Sequence, residues 1–367
     1  MVKVKTKLDY TEVPSDFKPG SKNGHLSELD PEFAKVKPGV DAGLGAMWAE
    51  DLTIQQFKDA WMAPSYVPSG FPEEGKDVVV THKMVKVRDG ADVEVRVYTP
   101  AIASGSNTKL PFAYRMHGGG WVIGGHDTEH AENLYLCKKA NVVVASVDYR
   151  LAPEHKYPTA VHDCIDVLKH LVSPSVASTL NINADSFVSV GGSAGGGLAA
   201  IMAIMCRDEG IKGIQGQVIT HPATCHPSFH KLANSKANPP GSYELLSYIQ
   251  NADGSVLNSH KMEWFWDHYV GPNPEPEVGH SPLLVESCKG LPPALVHVAG
   301  FDPLRDDGLA YVEKLKSDGV SVKSYVTPGM PHYYHSFPGF EKQGLVVYDR
   351  IVDFVKECVN EKGTAKI

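Results

Sequence analysis

Near the middle of the chain, Gly191-Gly192-Ser193-Ala194-Gly195 sets a serine among small residues where the pattern changes character. Upstream, Phe187, Val188 and Val190 alternate as in a strand; downstream, the run to Cys206 is rich in Ala, Ile and Met as in a buried helix. A serine on so sharp a strand-to-helix turn takes a strained backbone, which requires neighbours nearly free of side chains. Its hydroxyl then stands above the sheet edge, with the following N–H groups aimed the same way. That geometry suits attack on a carbonyl. The plainer reading is a glycine-rich turn that packs closely or cradles a phosphate, although no Gly-Lys-Ser/Thr follows.

Three further segments carry reactive types. His117-Gly118-Gly119-Gly120-Trp121 is a glycine loop whose N–H groups can face a ligand closely, as an oxyanion site requires. Asp302 lies just beyond the apolar run Ala294–Ala299, where a carboxylate either orients an imidazole or caps the next helix. His332 lies in Pro328-Gly329-Met330-Pro331-His332, placed as a general base or as a plain loop histidine. Each has a bland account. Jointly they read Ser, Asp, His in chain order, each at a strand end and beside a glycine loop.

The elements that must position them follow a regular alternation. Val78–Arg88 and Ala91–Thr99 alternate around Asp89-Gly90 and predict a hairpin. Strands are expected at Phe112–His117, Val142–Tyr149, Phe187–Val190, Gln217–Thr220, Ala294–Ala299 and Val322–Val326. Helices are expected at Glu129–Ala140, Ala160–Val172, after Ser193, at Arg305–Ser317 and at Leu345–Val359. This is an α/β chain: a mostly parallel central sheet flanked by helices, with an antiparallel hairpin at one edge. Such sheets gather chemistry at the carboxyl ends of their strands. Four parts follow: an N-terminal arm and cap segment (1–77), a first core part (78–222), an insertion (223–290) and a second core part (291–367). In the arm, Pro38-Gly39 is expected to interrupt a helix, and Thr53 with Gln56 forms a candidate capping box. In the insertion, Ser242–Gln250 reads as a helix, and the aromatic stretch around Trp264, Phe265 and Trp266 either lines a pocket or anchors the segment.

Composition narrows the partners. The 367 residues carry a formal net charge of −8, which argues against a nucleic-acid groove or an anionic membrane surface. No apolar run approaches the roughly 18 residues of a membrane span, and the basic start lacks an apolar signal core. Six cysteines without C-x-x-C pairing fit free thiols, so a cytoplasmic location is expected. His221, His226 and His230 with Cys225, or His126 with His130, could meet a metal ion, but no paired ligand pattern accompanies them. No metal is expected. The oligomeric state stays open, a homodimer included.

On HGGGW (117–121), DYRLAPEHKYP (148–158), GGSAGGG (191–197), DPLRD (302–306) and Pro328–His332, the chain resembles the hormone-sensitive-lipase-like family of α/β-hydrolase carboxylesterases. The resemblance implies an α/β-hydrolase fold with a helical cap built partly from the N-terminus. It implies Ser193 as nucleophile, Asp302 rather than Asp306 or Asp307 as orienter, and His332 rather than His335 as base. It also implies Gly118, Gly119 and Ala194 as N–H donors to the oxyanion, with Arg150 and Glu154 as buried struts. The expected activity is cofactor-free hydrolysis of a small-molecule carboxylic ester, with short to medium acyl chains, through an acyl-enzyme. A lactone-processing enzyme or lyase on the same site is the alternative, and a non-hydrolytic receptor another. Two departures stand out: Gly192 replaces the frequent aspartate before the serine, and Tyr333-Tyr334 replace Gly-Phe after the histidine.

Overall fold

Alternation on both sides of Asp89-Gly90 leaves a hairpin as the way to bury one face of each run, and Gly90, at φ 88°, closes it. The computed structural model describes residues 2–360 other than 12, 14, 16, 63–65, 106 and 107. In chain order the strands are β1 (Val78–Lys86), β2 (Asp92–Pro100), β3 (Leu110–Met116), β4 (Val143–Val147), β5 (Ile182–Gly192), β6 (Ile214–Thr220), β7 (Ala294–Phe301) and β8 (Val322–Pro331). They form one sheet in the order β1-β2-β4-β3-β5-β6-β7-β8. The β1–β2 and β2–β4 pairs are antiparallel, and from β4 to β8 every pair is parallel.

Helices α1 (Pro31–Met47) and α2 (Ile54–Trp61) precede the sheet. Helices α3 (His130–Ala140), α4 (Thr159–Leu171), α5 (Pro174–Thr179) and α6 (Ala194–Asp208) alternate with strands. The insertion holds α7 (His230–Ser235), α8 (Ser247–Gln250) and α9 (Ser259–Tyr269), and α10 (Arg305–Ser317) and α11 (Glu341–Asn360) complete the core. Central strands such as β4 are buried along their whole length, which requires cover on both faces. On one face Ile165 and Leu168 of α4 and Leu198 and Met202 of α6 pack on Val95, Phe112 and Val147. On the other, Leu134 of α3 and Val347, Ile351 and Val355 of α11 pack on Val144, Val188 and Leu295.

Several expectations fail for physical reasons. Helix α1 continues through Pro38: Asp30 accepts the N–H groups of Glu32 and Phe33 at 2.9 and 3.1 Å and starts the helix firmly. Ala34 and Pro38 are both exposed, so the carbonyl that loses its donor faces water. The expected helix from Ser242 is confined to Ser247–Gln250, because distant side chains take its first N–H groups. Asn234 accepts from Tyr243, and Asp306 accepts from Leu246 and Ser247. Glu129 falls in a short 3₁₀ turn, His126–Glu129, ahead of α3. The Thr53–Gln56 capping box forms as read. Arg150 is a strut on the fully buried Asp163, whereas Glu154 lies at the surface beside Lys58.

Several imidazoles are core groups. Burial pulls His126, His226 and His297 down to about 3, with neighbouring positive groups adding to it. A group depressed in the folded state binds protons more readily once unfolded, so its contribution is complete above the unfolded value of about 6.5 and shrinks as pH falls. Each of the three should cost about 2 kcal/mol at pH 5 relative to neutral pH. Their imidazole NMR signals should stay at neutral positions from pH 7 to 5 while Tm falls; titration of these rings near pH 6 in the folded protein would contradict the burial argument.

Candidate active site

The last residue of β5 and the first of α6 bracket Ser193, which sits at φ 56° and ψ −122°. That turn admits no side chain at positions 191 and 195. A Cβ on Gly191 would lie 2.0 Å from the Gly195 carbonyl oxygen, and one on Gly195 would lie 2.2 Å from that of Met116. Ser193 Oγ is 2.9 Å from His332 Nε2. His332 Nδ1 is 2.7 Å from Asp302 Oδ2. The acceptor at Nδ1 is a carboxylate, so the proton sits on Nδ1 and leaves Nε2 free to accept from the serine hydroxyl. Asp302 is fully buried, and its other oxygen accepts the Leu304 N–H at 2.9 Å.

The neighbouring acids face elsewhere. Asp306 accepts from Leu246, Ser247 and Arg305, and Asp307 accepts from Thr224 and Cys225. His335 points toward Glu132, with Nε2 3.6 Å from the carboxylate. Of the expected N–H donors, Gly118 is corrected: its N–H donates to Glu129 Oε1 at 2.8 Å and so is committed elsewhere. Gly119 and Gly120 border the same cavity as Ser193, and Ala194 opens α6 directly behind it.

The α/β-hydrolase fold family's sequence profile matches residues 114–336. The chain belongs to that family. The carboxylesterase NlhH of Mycobacterium tuberculosis is 32% identical over 273 residues, 72% of this chain and 78% of its own length. An ethyl acetate hydrolase of Pseudomonas putida is 33% identical over 309 residues, 83% and 91% of the two chains. Among solved structures, a vibralactone cyclase is similar at TM-score 0.76 and 27% identity, over 92% of this chain and 96% of that one. These relatives agree with the hormone-sensitive-lipase-like branch read from the HGGGW and GGSAGGG motifs.

In this α/β-hydrolase the histidines weighed as metal ligands scatter. His126 meets Ser146, His130 meets Tyr98, His226 accepts from Ser228 and His230 lies beside Asp307. Among the described residues, the group with ligand-like spacing is His221 with Asp302 and His332. His221 Nδ1 accepts the Tyr333 N–H at 3.3 Å, and burial, then the neighbouring His332 and His335, holds the ring well below its ordinary pKa and neutral.

Above Ser193 is a cavity of about 210 Å³. Trp48 and Trp61 reach it from the arm, and Leu257, Met262 and Phe265 from the insertion. The two segments interlock through rings: Trp48 lies 5.4 Å from Trp264 and 5.5 Å from Phe265, centroid to centroid. Both readings of the aromatic stretch therefore hold, since Phe265 lines the cavity while Trp266 anchors against Trp121 at 4.4 Å.

Sequence reasoning missed two supports. Asn251 of the insertion donates to the Asp302 carbonyl at 2.9 Å and steadies the acid loop. Glu129 anchors the glycine loop and is itself held by Arg115 Nε at 2.6 Å. A signal for the second existed, because an arginine inside the apolar strand β3 demands buried carboxylates. Glu132 supplies another: burial alone would raise it, yet Arg115 and His335 together bring it down to about 2. The backbone constraint at the serine turn is directly testable. Gly195→Ala should lose about 2 kcal/mol or more in urea unfolding, whereas Gly39→Ala, with nothing within 4 Å of the new Cβ, should be neutral or stabilising.

Proposed function

We propose that this α/β-hydrolase is a serine carboxylesterase acting through an acyl-enzyme, with Ser193 as nucleophile, His332 as general base and Asp302 as orienter. The observation that carries the reading is the continuous Ser193–His332–Asp302 relay, at 2.9 and 2.7 Å. Ser193 Oγ attacks the ester carbonyl carbon as its proton passes to His332 Nε2, and Asp302 holds the imidazolium through Nδ1–H. The oxyanion is received by the N–H groups of Gly119 and Ala194, joined by Gly120 from the same loop. His332 then protonates the departing alkoxide, the alcohol leaves, and water attacks the acyl carbon by the same proton route. No step calls on a metal or cofactor.

The cavity supports a small ester. At about 210 Å³ it lies below the roughly 300–1,000 Å³ of sites for drug-sized ligands, and its walls are largely aromatic and aliphatic. We read residues 1–77 and 223–290 as a cap that bounds the acyl group and excludes water. Cys137, Cys164, Cys206, Cys225 and Cys288 are buried thiols, which suits a cytoplasmic protein.

The lactone alternative has one specific support, the likeness to a chain named vibralactone cyclase. The same serine would open a cyclic ester, or close one by passing the acyl group to a hydroxyl of the substrate. A non-hydrolytic receptor has no use for a base aligned on the serine.

Ser193→Ala should lower p-nitrophenyl acetate turnover by a factor on the order of 10⁵ or more with Tm preserved, and a fluorophosphonate should label one site, Ser193. An active alanine variant, or label elsewhere, would overturn the assignment. A panel of p-nitrophenyl esters from acetate to laurate together with γ- and β-lactones separates the two substrate readings. In the same panel Trp61→Ala should raise kcat/KM for decanoate relative to acetate by at least about threefold. An unchanged chain-length profile would mean that the arm does not bound the acyl group.

A further inference from the structure

Tyr333, directly after the base, is held at φ 58°, an uncommon and strained conformation for a residue with a bulky side chain. Its side chain is half-buried, and the phenol donates to Glu129 Oε1 at 2.8 Å. That same oxygen accepts the Gly118 N–H at 2.8 Å. Glu129 Oε2 accepts from Arg115, whose other arm binds Glu132. The phenol oxygen also occupies the space in front of Gly192, where an added Cβ would lie only 2.0 Å from it. The two departures from the family pattern, Gly192 and Tyr333, are therefore one feature. The ring fills the hollow that a side chain at 192 would otherwise take.

We propose that Tyr333 and Glu129 form a positioning pair that sets the glycine loop against the serine turn. This rests on the ester-hydrolase reading above and adds to it two residues that need not touch the reacting atoms. One carboxylate oxygen gathers the loop after β3, through Gly118, and the base loop, through Tyr333. The ring meanwhile braces the turn at Gly192. With its N–H committed to Glu129, Gly118 fixes the rotation of the loop that presents Gly119 and Gly120 to the cavity. The anchor is stiff because the acceptor is charged and its counter-ion, Arg115, is buried with it. A neutral phenol remains a donor across the neutral range, since burial, then the neighbouring Glu129 and Glu132, holds Tyr333 well above its ordinary pKa. Misplacing oxyanion donors by about an ångström can cost about a hundredfold in rate.

The test is Tyr333→Phe, which keeps the ring against Gly192 and removes only the hydroxyl. With p-nitrophenyl acetate kcat should fall about ten- to a hundredfold while KM stays within about twofold. Affinity for a trifluoromethyl ketone, which adds to the serine and leaves an oxyanion in the same place, should fall by the same factor as kcat/KM. Glu129→Gln retains an acceptor oxygen and should recover most of the rate lost in Glu129→Ala. Unchanged kcat in Tyr333→Phe would overturn the pair. So would a rise in KM at constant kcat, which would make the tyrosine a substrate contact. Should Tyr333→Phe not fold, the Glu129→Gln and Glu129→Ala comparison decides, and equal rates in the two would overturn the proposal. Fluorophosphonate labelling of wild-type Ser193 is read separately. Label elsewhere removes the Ser193 assignment and the pair with it, while normal labelling with an unaffected Tyr333→Phe removes the pair alone.

Discussion

The left-handed backbone of Ser193 is the constraint from which the rest of the site follows. Such a conformation costs on the order of 1–3 kcal/mol and persists only where its surroundings hold it. They do so from both sides of the peptide. The Ser193 N–H donates to the Thr220 carbonyl at 2.8 Å, and the Ser193 carbonyl accepts from Gly197 at 3.1 Å and Ala223 at 3.2 Å. Strand β6 and the segment after it are therefore part of the turn, although they contribute no reacting atom. The close approach of Met116 to Gly195 adds β3 to the same clamp, which brings the glycine loop that follows β3 beside the serine.

Around that clamp the charges sort by depth. Arg115, Glu129 and Glu132 are all buried, and a lone one of them would be costly. As a connected set they are satisfied: Glu129 serves two donors besides the arginine, and Glu132 accepts from Ser336 at 3.0 Å. The set lies beneath the glycine loop. Beside His332 the imidazole of His221 is buried and uncharged, and so is that of His297. This leaves the Asp302 carboxylate as the negative group bonded to the His332 ring.

Much of this was legible from residue patterns, for reasons that also explain what was not. Strands buried along their length, such as β4 and β7, read as apolar runs, and the alternation of strand and helix patterns from β3 to β8 needed no tertiary knowledge. The serine, aspartate and histidine each followed the end of an expected strand, which placed them on one edge. What escaped depends on groups distant in sequence. The short α8 reflects the Asp306 carboxylate reaching back to Ser247, and continuation through Pro38 reflects water at the Ala34 carbonyl. The commitment of Gly118 to Glu129 spans only eleven residues, yet a glycine triplet carries no sign of which N–H is already spent. Glu154 reads as a strut on the family resemblance of the run it shares with Arg150; side-chain burial separates them, and no spacing encodes it.

The arm ahead of the sheet has a second attachment that changes what it can be. Its segment Lys22–Ser27 runs along the acid and base loops and not only over the cavity. Ser27 Oγ accepts from the fully buried Arg305 at 2.8 Å, Asn23 Nδ2 donates to Asp306 at 3.1 Å, and the Asp30 N–H donates to the Gly329 carbonyl at 3.2 Å. Arg305 and Asp306 begin the helix that follows Asp302, and Gly329 lies three residues before His332. The arm is thus pinned to both partners of the histidine–carboxylate pair before it rises, through α1 and Trp48, to meet α9. A segment joined in this way cannot lift as a free lid without disturbing the relay beneath it.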